Sequence, residues 1–265
     1  MARKSSERRR RNATKESVPE ESVEGTTATG AASGLWGEDL VLRYPSMEAP
    51  VIDGERLVAT QGAVTALVGP NGSGKSTLLK GLARQLAPED GSVLLDGRDV
   101  HSMGTKELAR KLGLLSQEST SPDSITVEDL VYHGRYPHRG FFETLTEEDT
   151  HAVDRAIELA GCGHLRDREV GSLSGGQKQL AWVAMVLAQD TDVLLLDEPT
   201  TFLDLHHQLE VMDIIEALRD ESDITVVVVL HDDHGDVTLV PEGLDDVHHL
   251  QLVVEIEERR RLVQE

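Results

Sequence analysis

The chain has 265 residues, 38% of them hydrophobic, and carries a formal net charge of −22 from 48 acidic against 26 basic side chains. That length allows one α/β domain with a smaller insertion, or at most two small domains, while so negative a surface argues against any general grip on the phosphate backbone of nucleic acid. The single cysteine, Cys162, excludes internal disulfides and a multi-cysteine zinc site, suits a reducing compartment and reads as a small apolar filler.

Residues 1–35 combine four arginines at 8–11 with Ser, Thr, Gly and Glu and almost no large apolar side chains. Such a segment cannot offset its ordering entropy and is expected to be a disordered, solvated tail. Contact of its basic block with anionic lipid or RNA is the alternative. The basic start is followed by polar residues instead of the apolar stretch of a secretion signal. No run approaches the roughly 20 apolar residues of a membrane-spanning helix; the longest, at 226–230 and 193–196, are far shorter. A cytoplasmic protein is expected, with any membrane role peripheral.

From Asp39 onward, short apolar runs alternate with Gly-rich or charged turns, and the folded domain is placed at 36–265. Residues 63–68 read as a buried strand running into glycines, with a helix starting near Lys75. Further strands are predicted at 92–95, 112–115, 193–196 and 225–230, each Leu-rich or β-branched and bounded by turn signals. Strands apolar on both faces imply a parallel sheet covered by helices. Residues 119–177 are mostly charged and helical in pattern, with apolar positions at helical spacing over 147–160, and read as an inserted helical subdomain.

The strongest local signal is the run Gly69, Pro70, Asn71, Gly72, Ser73, Gly74, Lys75, Ser76, Thr77, a complete G-x-x-x-x-G-K-[ST] match between an apolar strand and a helix. Glycines let backbone N–H groups converge on one point, and the helix start behind them adds positive partial charge. An anionic polyphosphate suits that place, with Lys75 on its outer phosphates and the Ser76 hydroxyl on Mg²⁺. A purely structural Gly-rich turn would have no use for the Lys-Ser pair.

A second signal follows the strand at 193–196, which ends in two adjacent carboxylates, Asp197 and Glu198. Carboxylates at the end of a buried strand are costly unless a cation or a reaction uses them. Alternation directs the two side chains differently: Asp197 can hold Mg²⁺, and Glu198 can polarise a water attacking the γ-phosphate. A solvated acidic loop is the alternative.

Leu173, Ser174, Gly175, Gly176 and Gln177 open a further helix and offer another anion-binding helix start. Alone the run is unspecific. Its place is not: it lies about 100 residues after the phosphate loop and about 20 before the carboxylate pair. With these three motifs in this order, the chain resembles the ATP-binding subunits of ABC transporters over residues 40–232. The resemblance implies a RecA-like P-loop NTPase core of α/β class, an antiparallel β subdomain near 38–100 and the inserted helical subdomain at 119–177. It also implies a second copy of the chain, so that Ser174–Gln177 of one caps the ATP held by the other, and integral-membrane permease subunits served indirectly by a substrate-binding protein. By the same resemblance Tyr44 stacks on adenine, a strand aromatic packed in a core being the other reading. Gln117 reaches Mg²⁺ and the attacking water, Asp204 lies in the loop that communicates between sites, and His231 contacts the γ-phosphate. ATP and Mg²⁺ are the implied ligands, and the cytoplasmic side of the membrane the implied location.

Within that family, the runs 134–138, 188–192 and 199–211 are similar to importers of ferric siderophores, with cobalamin or haem as the alternative cargo. A soluble, non-transport ABC ATPase is the rival from another class, but the two-domain chains, coiled-coil arms or cysteine-rich modules it implies are not seen. An inactive subunit is disfavoured by Glu198 and His231. After His231 the sequence departs from the family pattern: Gly235 and Pro241 break the expected helix, leaving 232–265 atypical, either a frameshifted or a divergent ending. His234, His248 and His249 have no regular ligand spacing and are not read as a metal site.

Overall fold

The computed structural model describes residues 33–117, 124–140, 144–201, 203–221, 223–231 and 250–253. Most of the polar tail, most of the atypical ending and the histidines at 234, 248 and 249 therefore lie outside the described residues. Among those described, no helix is long and apolar enough to cross a membrane.

Two sheets form the scaffold. The first is antiparallel, in the order β2-β1-β4-β5, from β1 (Gly34–Leu42), β2 (Ile52–Thr60), β4 (Asp90–Leu95) and β5 (Arg98–Asp99). Gly34 and Leu35 belong to β1 and not to the tail in which composition places them, because Leu35 is fully buried in the core and its pairing with Ala59 and Leu95 satisfies the backbone. The second sheet is parallel, in the order β6-β7-β8-β3-β9, from β3 (Val64–Gly69), β6 (Leu112–Leu115), β7 (Val193–Asp197), β8 (Thr225–His231) and β9 (Leu250–Val253). β9 pairs with β3 from Val64 opposite Leu250 to Leu67 opposite Val253, so the atypical ending contributes a strand that covers the β3 edge.

Alternation along the parallel strands decides which side chain enters which half of the core. Leu194, Leu196, Val226 and Val228 face one cluster, while Val193, Leu195, Val227 and Val229 face the other. The first is closed by α3 (Val127–His133), α4 (Glu147–Leu159), α5 (Gly175–Ala188) and α6 (Leu205–Glu221); the second is closed by α1 (Lys75–Leu82) and the antiparallel sheet. Both faces of the sheet are dry, which is why these strands read as unbroken apolar runs. The short helix α2 (Thr105–Lys111) leads into β6.

The predicted helical subdomain holds α3 and α4, packed against α5. One buried ion pair fixes this layer: Arg135 Nε meets Asp149 Oδ1 at 2.9 Å with both side chains out of solvent, and Arg135 Nη1 donates to the Ala188 carbonyl at the end of α5 at 2.9 Å. Asp149 also sits in a capping box with Thr146 at the start of α4. A Cβ on Gly134 would stand 2.1 Å from the Met185 carbonyl, so only glycine lets this turn approach α5. His138 Nε2 completes the contact at 2.7 Å from the Gln189 carbonyl. The runs 134–138 and 188–192 are therefore two sides of one packed junction.

Candidate functional site

The parallel register aligns the C-terminal ends of three strands. Gly69 at the end of β3 pairs with His231 at the end of β8, and Asp197 at the end of β7 pairs with Val229. Glu198 follows, its N–H donating to the Val229 carbonyl at 3.1 Å. In open α/β sheets, ligands bind at this edge. For His231 the structure places the backbone only.

The phosphate-loop residues turn from β3 into α1 through two glycines in the left-handed region, Gly72 at φ 80° and Gly74 at φ 97°. Gly74 is doubly constrained, since an added Cβ would stand 2.8 Å from Ile52 Cδ1. Lys75, only 5% exposed, folds back to donate from Nζ to the Gly69 carbonyl and, at 3.0 Å, to that of Pro70. Ser73 Oγ is buried, with no hydrogen-bond partner among the described residues. A buried cation and an orphaned hydroxyl in one loop suit an anion with many acceptor oxygens.

Beside the loop, Ser76 Oγ donates to Asp197 Oδ1 at 2.8 Å. Burial pushes the Asp197 carboxyl above its ordinary value; the Ser76 bond opposes this, the charge of Glu198 adds to it, and Lys80 and Lys75 oppose it. A carboxylate held so dry and so close to a hydroxyl fits a hard cation such as Mg²⁺, which takes oxygen ligands.

Glu198 has a non-glycine backbone in the left-handed region, at φ 51°. Such a conformation costs of order 1–3 kcal/mol and gathers at functional sites. Its carboxylate is clamped at one oxygen, Oε2, by Gln117 Nε2 at 2.8 Å and Thr201 Oγ1 at 3.0 Å. Thr201 was missed in the sequence, although its spacing of three from Glu198 in a tight turn was a usable signal. Tyr44 lies just after β1, half-buried, its hydroxyl 3.4 Å from Thr77 Oγ1 in the first turn of α1. The structure thus brings Tyr44 to the phosphate-loop helix and joins Gln117 to Glu198 and Ser76 to Asp197.

Ser174, Gly175, Gly176 and Gln177 form the start of α5. Ser174 Oγ accepts from the Gln177 N–H at 3.3 Å, and the Ser174 N–H donates back to Gln177 Oε1 at 3.2 Å. Asp204 caps α6, its Oδ1 accepting from the His207 N–H at 3.1 Å.

A family model described as ABC transporter matches residues 53–201. The chain belongs to the ABC transporter family. It is 46% identical over 200 residues to the siderophore transport system ATP-binding protein YusV of Bacillus subtilis, a match covering 76% of this chain and 72% of that one. It is likewise 46% identical over 204 residues to the ferric enterobactin transport ATP-binding protein FepC of Escherichia coli, covering 77% and 74%. Among solved structures, an ABC transporter of metal-chelate type in an inward-facing conformation aligns at TM-score 0.65 and 31% identity, covering 75% of this chain and 74% of that one. A dimeric bacterial ABC transporter cassette aligns at TM-score 0.66 and 26% identity, covering 75% and 88%. The two-sheet arrangement with its helical layer is the ABC ATPase fold, and the chain is an ATP-binding, ATP-hydrolysing cassette of that family.

Proposed function

We propose that this ABC ATPase drives a ferric-siderophore importer, working as a dimer with a second copy of itself on the cytoplasmic side of the membrane beneath integral permease subunits. The observation that carries the catalytic part is the clamp on Glu198. A general base must present its carboxylate in a fixed direction to the water it deprotonates, and two donors on Oε2 hold Glu198 in one orientation.

Phosphoryl transfer relies on positioning and electrostatics more than on covalent chemistry. Lys75, whose Nζ donates to the loop carbonyls of Gly69 and Pro70, would turn its ammonium to the outer phosphates of ATP. Ser73 Oγ gains an acceptor there. Ser76 and Asp197 would hold Mg²⁺, which offsets phosphate charge when bound. Gln117 links Glu198 to the chain that follows β6. Ser174 with the α5 amides offers a helix start to the phosphates held by the partner copy.

The cargo reading is supported by relatives that carry siderophore and ferric enterobactin transport in their names. The test is reconstitution in proteoliposomes with the permease encoded nearest to this gene. ATP-dependent accumulation of a ferric siderophore is expected; accumulation of cobalamin or haem instead, with no uptake of the ferric siderophore, would reject the cargo.

A further inference from the structure

His207 touches both the loop that carries Asp204 and the start of α5, and neither the phosphate loop nor the carboxylate pair uses it. Its Nδ1 lies 2.8 Å from Asp204 Oδ1, the oxygen that also accepts the His207 N–H at 3.1 Å. These bonds, the backbone one first, hold the Asp204 carboxyl below its ordinary value. The same imidazole lies over Gly176: a Cβ there would stand 2.5 Å from both His207 Cγ and Cδ2 and 2.8 Å from Nδ1. Any larger residue at this position would displace the ring. The His207 side chain is 21% exposed although Asp204 is 69% exposed, so the ring is seated while the carboxylate it grips faces outward.

We propose that His207 is a positioning residue that locks the Asp204 loop to the Ser174–Gln177 helix start of the same chain, so that both meet the partner copy as one rigid unit. The inference rests on the reading that this helix start caps the partner's nucleotide. A loop free to move independently of α5 would have to be ordered separately at closure, and that ordering opposes association. With the ring in place, the relative placement of loop and helix start exists before the partner arrives. One ring carries the lock by two contacts: the Nδ1 hydrogen bond to the carboxylate and the close packing over the glycine.

The test uses the full-length protein in a Glu198→Gln background, which is expected to bind ATP without turning it over, with dimer formation followed by light scattering as MgATP is raised. His207→Ala is expected to raise the ATP concentration for half-maximal dimerisation by about tenfold, within the range of ordinary site-to-site coupling. His207→Asn keeps a donor and loses the ring, and His207→Phe keeps the ring and loses the donor; both are expected between the parent and His207→Ala. Binding of a fluorescent ATP analogue to the monomer is expected to stay within about twofold of the parent, since Lys75, Ser76 and Asp197 have other partners. An unmoved dimerisation midpoint in His207→Ala, even with a lowered melting temperature, would reduce His207 to a structural residue and overturn the proposal. An equal loss of monomer affinity would overturn it as well. Should His207→Ala not fold, the Asn and Phe variants decide by the same midpoint. Failure of the Glu198→Gln parent itself to dimerise strikes the functional reading and not His207.

Discussion

Gln117 Nε2 and Glu198 Oε2 are 2.8 Å apart across a sequence separation of 81 residues. The bond ties the chain just after β6 to the residue just after β7, and Thr201 donates to the same oxygen. Replacing Thr201 with Ala removes one of two clamps and leaves the base in place. A hydrogen bond of net worth about 1 kcal/mol corresponds to about fivefold in rate. Steady-state ATPase assays should show kcat lower by about that factor in Thr201→Ala, with KM for ATP unchanged.

Glu198→Gln keeps the size and the hydrogen-bonding reach of the side chain while removing its basicity. General-base catalysis contributes about 10²- to 10⁴-fold, so kcat should fall within that range. Equilibrium binding of ATP should persist, because Lys75 and Ser76 are untouched. Turnover equal to that of the parent would remove Glu198 from its role.

The Arg135–Asp149 pair is a stability device whose effect depends on pH. Burial by itself raises the Asp149 carboxyl, but the Arg135 and Thr146 hydrogen bonds outweigh it and leave the group below its ordinary value. A depressed folded-state value means stability that is present above the unfolded value, about 3.9, and lost as pH falls through the lower folded value. Melting temperatures of the parent should therefore drop more steeply below about pH 4 than those of Asp149→Asn. At neutral pH, Arg135→Met strands a buried carboxylate and should cost about 3–5 kcal/mol in urea unfolding.

Cys162 is fully buried, and burial pushes its thiol up to about 11. Only the thiolate reacts, so a disulfide reagent at pH 8 should label the native protein far more slowly than the urea-unfolded chain. Fast labelling of the folded protein would contradict the packing of Cys162 beneath α4.

The phosphate loop, the carboxylate pair and the α5 start were legible because each is a short contiguous run whose chemistry demands unusual residues. The parallel sheet was legible for a related reason: β3 and β7 are buried on both faces and carry no polar alternation. What the sequence hides is mostly which side chains meet. Thr201 stands three positions from Glu198, a spacing that suggests a turn without showing that the hydroxyl reaches the carboxylate, and His207 gives no sign of its contact with Gly176 until α5 and α6 are packed. In sequence the run 134–138 shows only a family likeness; the close approach of Gly134 to Met185 and of Arg135 to the Ala188 carbonyl appears only when α3 and α5 are packed. The tail expected at 1–35 overlaps β1 at its end, because Gly34 continues the small polar composition of the segment before it and the burial of Leu35 is decided by its neighbours β2 and β4.

In the proposed dimer, ATP joins two copies of this chain through the phosphate loop of one and the Ser174–Gln177 helix start of the other. The molar mass of Glu198→Gln by light scattering, in MgATP and in nucleotide-free buffer, tests this joining. A doubling of mass with MgATP, abolished by adding Ser174→Arg, is the expected result. A monomeric mass in MgATP under conditions where the nucleotide is demonstrably bound would rule out the nucleotide-bridged dimer.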